Sequence, residues 1–268
     1  MELLAQIGSA GAGPLDLSGL LNEKPEFLAE VLKVAAESAR GSDAPVPNLQ
    51  WLSDPANAPR VAEIALTLLI RNYLRRAFLE SDDYRYWSYS LACAVCSEQV
   101  ALPRGENTLL AYAAGLLHDI GRLALIAAYP TQYSNLLNLT DRMFAANEPF
   151  DMLEYERLLF GLNHFDTGQW VGQKWQLPAW LRSIAGKFDD KTSAEYASLV
   201  STIRAGTRLA HSLGFGYLTA APHANFRVIL SAFPDADKHW KVLDSWEYAE
   251  ENMRGKVRSR LSWYSGGE

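Results

Sequence analysis

The chain has 268 residues, of which 49% are hydrophobic and 21% charged, with eight Trp and twelve Tyr. That is enough apolar bulk for a substantial core and excludes a largely disordered chain. The formal charge of -6 excludes a broad, non-specific hold on a phosphate backbone, which depends on Lys and Arg displacing counterions; nucleic acid is not an expected partner.

Leu and Ala recur at spacings of three and four almost throughout, and Val, Ile and Thr form no alternating runs, so the expected fold class is all-α, a multi-helix bundle. Residues 1–16, rich in Gly and Ala, are expected to form a flexible N-terminal arm. Met1 to Pro14 lacks a cationic start followed by a long apolar run, and no later segment keeps about 18 uncharged apolar residues together, so neither export nor a membrane partner is expected. The first helix is predicted over Pro25 to Ala39, with Phe27, Leu28, Val31, Leu32, Val34 and Ala35 as its apolar stripe. Ser42 to Pro59 reads as a proline-rich loop with at most a short helix around Leu49 to Leu52, and Arg60 to Phe78 as a long amphipathic helix. Asp82 and Asp83 start the next helix, which runs through Trp87 and Tyr89 to about Val100.

Asn107 caps a helix that contains Leu109, Leu110, Ala113, Leu116 and Leu117 and reaches His118-Asp119, with Gly121 as a bend. Helices then follow over Leu123 to Tyr129, Gln132 to Asn147, Met152 to Phe160 and His164 to Trp175. Ala179 to Lys187 and Ser193 to Leu213 come next, with Gly214 as terminator, and two further helices are expected from Asn225, the last ending near Trp263.

Adjacent His and Asp side chains on a helix project about 100° apart, so they share a metal ion only if it sits between their two directions. His118 and Asp119 lie in the otherwise apolar run Ala114 to Leu123. There they are either ligands or a core pair with hydrogen-bond partners of its own. Cys93 and Cys96 are three apart on a predicted helix, but zinc needs about four ligands and the chain has no second such pair; they read as buried thiols in a reducing cytoplasm. Trp170, Trp175 and Trp180 are expected in the core. Arg254, Lys256, Arg258 and Arg260 are read as a solvated helix face or helix-end charges. His211, His223 and His239 have no matching partners in sequence.

Several segments together carry a resemblance. Glu23 to Ala35 looks like an opening "DPaL…vLkla" helix, Trp87 to Ala94 a "W-x-x-S…A" helix, and Ala114 to Leu125 with Pro130 an "aGLLHdIGkL…P" segment. Glu156 to His164, followed by Gly168, Trp175 and Leu177-Pro178, is similar to "E…fG-x-x-H…G…W-x-l-P", and Arg208 to Ala210 with Gly214 to Gly216 resembles a closing helix. In these motifs the chain resembles the HDOD domains, output-domain relatives of the HD superfamily of metal-dependent phosphohydrolases, over roughly residues 20 to 217. The resemblance implies an HD-like bundle, with an HDOD domain over 17–220 and a C-terminal helical extension over 221–268 packed on it.

Catalytic members of the superfamily hold a metal with a His, the His-Asp pair and a distant Asp. Matched position by position, this chain keeps His118 and Asp119 but has Tyr89 for the first His and Thr207 for the last Asp. Where related domains often carry a His-His pair, it has Gly186-Lys187-Phe188. His164 is retained, and its spacing to Glu156 suits either a ligand set or a hydrogen bond tying two helices. The Gly-Tyr-Pro signature of the cyclic dinucleotide phosphodiesterases is missing.

The resemblance thus implies His118, Asp119 and His164 as a vestigial metal site, with Tyr89, Glu156, Lys187 and Thr207 as its altered positions. No cofactor is expected; Fe, Mn or Zn is the metal if one binds. The implied function is bacterial signal transduction through binding, with an unidentified signalling protein or a second copy of the chain as partner. The alternatives are a divergent metal-dependent phosphohydrolase and a module that binds a nucleotide or small anion without turnover.

Overall fold

The computed structural model describes residues 2–9, 17, 25–40, 46–77, 83–186, 194–218, 224–241 and 244–265. Among the described residues there are helices and no strands. In chain order they are α1 (Glu2–Ser9), α2 (Pro25–Ala39), α3 (Leu49–Ser53), α4 (Ala58–Ala77), α5 (Asp83–Ala101), α6 (Thr108–Leu117), α7 (Ile120–Ala128) and α8 (Pro130–Ala145). Then come α9 (Met152–Phe160), α10 (His164–Lys174), α11 (Ala179–Ala185), α12 (Ala197–Ser212), α13 (Phe226–Leu230), α14 (Ala236–Trp240) and α15 (Trp246–Ser265). Short 3-10 turns cover Pro55–Asn57, Leu102–Arg104 and Ala194–Tyr196.

Helix starts follow local chemistry. The Asn107 side chain accepts from the Leu110 N–H at 2.9 Å and opens α6; Asp151 does the same for Leu153 at α9, and Asn163 for Asp166 at α10. Each satisfies an amide with no partner inside its own helix. Gly161, at φ 80°, closes α9 in the left-handed conformation that a side chain disfavours. At the centre lies α5, whose Tyr86, Trp87, Tyr89, Leu91, Cys93 and Cys96 are all buried. It packs against α6, α12 and α15, while α10 lies across α7 and α11.

Several expectations are corrected. The first residues do not form a loose arm: Glu2–Ser9 is a helix whose Leu3, Leu4 and Ile7 share one side, with Ile7 fully buried. The Trp180 indole N–H anchors it by donating to the Leu4 carbonyl at 3.1 Å. Arm residues 10–16 lie outside the described residues. His118 and Asp119 are not inside a helix but form the turn between α6 and α7, where the Asp119 carbonyl accepts from the Tyr86 hydroxyl at 2.9 Å. The 21-residue stretch Thr108–Ala128 holds an 18-residue window apolar enough by length and composition to cross a membrane, yet 78% of that window is buried in the structure, as in the centre of a helical core. The tail holds three helices, α13 to α15, instead of two, because Asn225 caps a separate short helix at Phe226.

The last helix docks through apolar residues and one charge cluster. Met253, Val257, Leu261 and Tyr264 recur at helical spacing on α15 and are buried. Arg260 pairs with Glu63 of α4 and lies 3.3 Å from Glu98 of α5. Both Arg60 and Arg260 stand over the Trp263 ring, at 4.9 and 4.8 Å. Arg260 is therefore turned inward and not part of a solvated face. Arg254 pairs with Glu250 and Glu251, and Arg258 with Glu251, so acidic neighbours on the same helix offset those charges.

Removing one partner of a buried pair leaves the other charge uncompensated, which costs about 3 kcal/mol. We expect Glu63→Ala, which leaves Arg60 and Arg260 facing each other across Trp263 with Glu98 as the remaining acid, to lower unfolding free energy in urea measurably but by less than the about 3 kcal/mol of a fully uncompensated charge. The double variant Glu63→Ala, Arg260→Met should regain part of that loss; a single variant as stable as the wild-type chain contradicts the assignment.

Candidate functional site: a buried charge cluster at Arg122

Two glycines decide how close the site's helices come. A β-carbon on Gly121 of α7 would lie 1.9 Å from the His164 carbonyl oxygen and 2.5 Å from the Gly168 nitrogen. One on Gly168 of α10 would lie 1.8 Å from the Ala185 carbonyl oxygen. With only hydrogens there, α7 rests on α10 backbone to backbone, and α10 on α11. That approach brings Arg122, the residue after Gly121, against His164.

Arg122 is 2% exposed. Its Nε donates to Asp119 Oδ2 at 2.5 Å, and one terminal nitrogen donates to the Tyr133 hydroxyl at 2.5 Å and to Glu156 Oε1 at 3.3 Å. The Tyr133 hydroxyl in turn donates to the same Glu156 oxygen. Glu156 is fully buried, and its Oε2 accepts from the backbone N–H of His164 at 2.8 Å and from His164 Nδ1 at 2.6 Å. A carboxylate only accepts, so His164 carries a proton on Nδ1.

The other Arg122 terminal nitrogen lies 3.2 and 3.1 Å from the two ring nitrogens of His164. Near-equal distances to both place this nitrogen against the imidazole ring, out of its plane, with Nε2 the ring's remaining acceptor. The Tyr217 ring centroid stands 4.3 Å from the guanidinium carbon, a favourable position for a planar cation.

His118 faces the other way. Its Nδ1 donates to the Gly115 carbonyl at 2.8 Å, which leaves Nε2 to accept from the Tyr89 hydroxyl at 3.2 Å. Tyr89 also packs edge-on against Tyr217, with centroids 4.9 Å apart, and against His211 at 5.1 Å. Burial lowers the pKa of His118 below its ordinary 6.5 and raises that of Tyr89. For Asp119, burial alone favours the neutral acid, but the Arg122 charge outweighs it and holds the carboxyl below its usual range. Glu156 is held down likewise, by its hydrogen bond from His164 and by Arg122.

The structure thus brings Asp119, Glu156 and His164 together around Arg122, and pairs Tyr89 with His118. Thr207 takes no part: its hydroxyl donates back to the Arg204 carbonyl of its own helix at 3.0 Å. Lys187 and His223 lie outside the described residues. Arg122, Tyr133, Tyr217 and His211 were absent from the sequence-based site. Only Arg122 carried a local signal, since three residues after Asp119 it falls on the same helical face.

A divalent ion does not fit this donor set as arranged. Both Glu156 oxygens, Asp119 Oδ2 and His164 Nδ1 are engaged with Arg122, Tyr133 or one another, and both His118 nitrogens have partners. Among the described residues no three His, Cys, Asp or Glu side chains are placed to hold a metal. The cysteines are free and buried, and burial pushes both thiols up in pKa. Trp180 is in the core, but Trp170 and Trp175 are 56% and 53% exposed. On α10 the inward face belongs to His164, Thr167, Gly168, Val171 and Gly172, which leaves no room inside for an indole.

A helical bundle with a His-Asp pair at the turn between two core helices defines an HD-type domain. Comparison gives the particular family: the sequence model of the HDOD domain matches residues 1–188, and the chain belongs to the HDOD domain family. The match takes in α1. A crystal structure of an HDOD domain protein of unknown function from Geobacter sulfurreducens superposes with a TM-score of 0.72 at 18% identity, covering 98% of this chain and 90% of that one.

A protein from Shewanella amazonensis SB2B, provisionally named a phosphohydrolase, gives a TM-score of 0.62 at 16% identity over 98% of this chain and 90% of its own. One from Marinobacter aquaeolei VT8, provisionally named a signal transduction protein, gives 0.62 at 18% identity over 99% of this chain and 58% of its own. These likenesses establish the shared fold. An uncharacterized protein of Treponema pallidum (strain Nichols) is 25% identical over 195 residues, or 70% of this chain, which spans only 36% of that relative's length.

Because Gly121 meets backbone and not a flexible side-chain end, Gly121→Ala should cost about 3 kcal/mol, the upper end of overpacking; a urea midpoint equal to wild type would refute the crossing. The His118 shift sets a pH dependence. Below its ordinary 6.5 the unfolded chain takes up a proton that the folded one resists, so stability falls as pH drops through that value. Asp119 and Glu156 give up their contribution only at more acidic pH, as it falls through their depressed folded values. Thermal unfolding from pH 8 to pH 5 should show the first decline, and His118→Gln should make it shallower.

Proposed function

We propose that this chain is a regulatory HDOD protein that acts by binding a signalling partner in a reducing cytoplasm, without hydrolysis. One observation carries the reading: Asp119 and Glu156 are bound to the Arg122 guanidinium, His164 Nδ1 to Glu156, and His118 to the Gly115 carbonyl and the Tyr89 hydroxyl. A catalytic metal needs about three protein ligands and an open position for water, and this cluster offers neither. Free, buried Cys93 and Cys96 suit a reducing compartment. Leu158, Leu159, Leu162, Trp170 and Trp175 are all exposed on α9, α10, the turn between them and the residue that ends α10, and large exposed apolar side chains in number favour a protein-binding face. The name of the Marinobacter neighbour points the same way, although at 18% identity it supports the fold more than the role.

Two measurements test this. Untagged protein supplied with Mn2+, Fe2+ or Zn2+ should release nothing above blank from p-nitrophenyl phosphate, bis-p-nitrophenyl phosphate or a cyclic dinucleotide. Turnover that vanishes in His118→Ala and Asp119→Ala would establish an enzyme instead. A photo-crosslinking residue in place of Trp170 should capture a discrete protein in cells, whereas the same residue at exposed Ser201 should not; equal labelling at both removes the binding face from the proposal.

A further inference from the structure

We infer that Arg122 is a tethered substitute for a metal ion: its guanidinium sits where Asp119, Glu156 and His164 converge, and by sitting there it keeps a divalent cation out. The inference rests on the non-catalytic reading above and says what holds the site in that state.

Two buried carboxylates on neighbouring elements need a cation between them. Asp119 is 8% exposed and Glu156 not at all, so water does not supply the compensation. A guanidinium stays charged at any relevant pH and carries five N–H donors in one plane, enough to serve several oxygens at once. Here it serves Asp119 through Nε and both Glu156 and Tyr133 through a terminal nitrogen. A dication would need the same lone pairs at about 2.0 to 2.2 Å, and would meet a fixed positive charge only a hydrogen bond's length behind them.

The surroundings also fit a flat organic cation better than a hydrated ion. The guanidinium lies against the face of the His164 imidazole, with the Tyr217 ring centroid 4.3 Å from its central carbon, whereas a catalytic ion needs that side open to water. Arg122 is not free to swing away. It follows Gly121, whose backbone contact with α10 fixes the start of α7.

If the guanidinium stands in for a metal, deleting it while keeping its three neighbours should create a metal site. The probes are Mn2+ and Zn2+ added to metal-stripped full-length protein, read by titration calorimetry, by metal content after gel filtration, and by melting temperature. Wild type should retain no stoichiometric metal and show no change in melting temperature.

Arg122→Ala should melt lower in chelator, rise on addition of Mn2+ or Zn2+, and bind the ion at least about tenfold more tightly than wild type. That gain should disappear in Arg122→Ala combined with Asp119→Asn, and should not appear in Arg122→Lys, which keeps a cation. If Arg122→Ala does not fold in chelator, refolding with Mn2+ or Zn2+ should rescue it. A folded Arg122→Ala that takes up no metal, or an unfolded one that neither ion rescues, overturns the substitution and leaves the regulatory reading standing. Stoichiometric metal in wild type overturns the substitution, and metal together with hydrolysis overturns the regulatory reading as well.

Discussion

The structure depends on one buried cation. Arg122 reaches residues from four successive segments: Asp119 at the turn before α7, Tyr133 on α8, Glu156 on α9 and His164 at the start of α10. Bringing a guanidinium and two carboxylates out of water is expensive, and attraction in a low dielectric offsets it only when geometry is good and the remaining donors and acceptors are satisfied. Here Glu156 accepts on both oxygens, from a backbone amide, an imidazole, a phenol and the guanidinium. Any rearrangement of α7 against α9 or α10 would strand one of these charges in the core. The cluster therefore contributes less to net stability than to the choice of one packing over its competitors.

The same motif of an arginine between two carboxylates beside an aromatic ring recurs where α15 docks, with Arg260, Glu63, Glu98 and Trp263. There it is structural. Arg260 keeps 14% of its side chain exposed against 3% for Arg122, and no imidazole takes part in its ion pairs. What distinguishes the Arg122 cluster is its company: a His-Asp turn, a second imidazole and the Tyr89, His211 and Tyr217 rings packed against one another. Proton-carrying groups around a charge are the raw material of a hydrolase. On the regulatory reading proposed above, the cation at the centre, fixed to the chain, is what separates this arrangement from one.

Much of this was legible in the sequence, and the failures have physical causes. Pro25–Ala39 could be read to the residue because its apolar stripe is local, and Met152–Phe160 because its caps, Asp151 and Gly161, are local as well. The break expected at Gly121 falls earlier, at His118-Asp119, because the apolar run continues from α6 into α7 and the crossing with α10 and the Tyr86 hydroxyl fix where the chain turns. The helix at Glu2–Ser9 was hidden because its three apolar residues precede a Gly- and Ala-rich stretch and depend on Trp180, far along the chain. Trp170 and Trp175 were assigned inward by residue type alone. The glycine-lined inner face of α10 had already taken that side for close backbone packing. At the site, the motif residues were identified but their counter-ion was sought outside the protein, when it stood three residues after Asp119.

The placement of the exposed apolar face gives this cluster a physical route to influence. On α9, fully buried Glu156 is followed two and three residues later by Leu158 and Leu159, which are 73% and 55% exposed. On α10, buried His164 is followed by exposed Trp170. The same two helices thus hold the charge cluster on one side and the apolar surface on the other. A ligand moves such a system only as far as it binds one arrangement better than another. With both Glu156 oxygens engaged, small displacements of α9 bring no compensating contacts, so the alternatives are the packed cluster or one re-formed with different partners. Tightly packed, fully paired interiors respond in steps and not by gradual deformation. On the regulatory reading proposed above, an arginine held in this way would convert a contact on α9 and α10 into a discrete change at the His-Asp turn, a use for the site that requires no turnover.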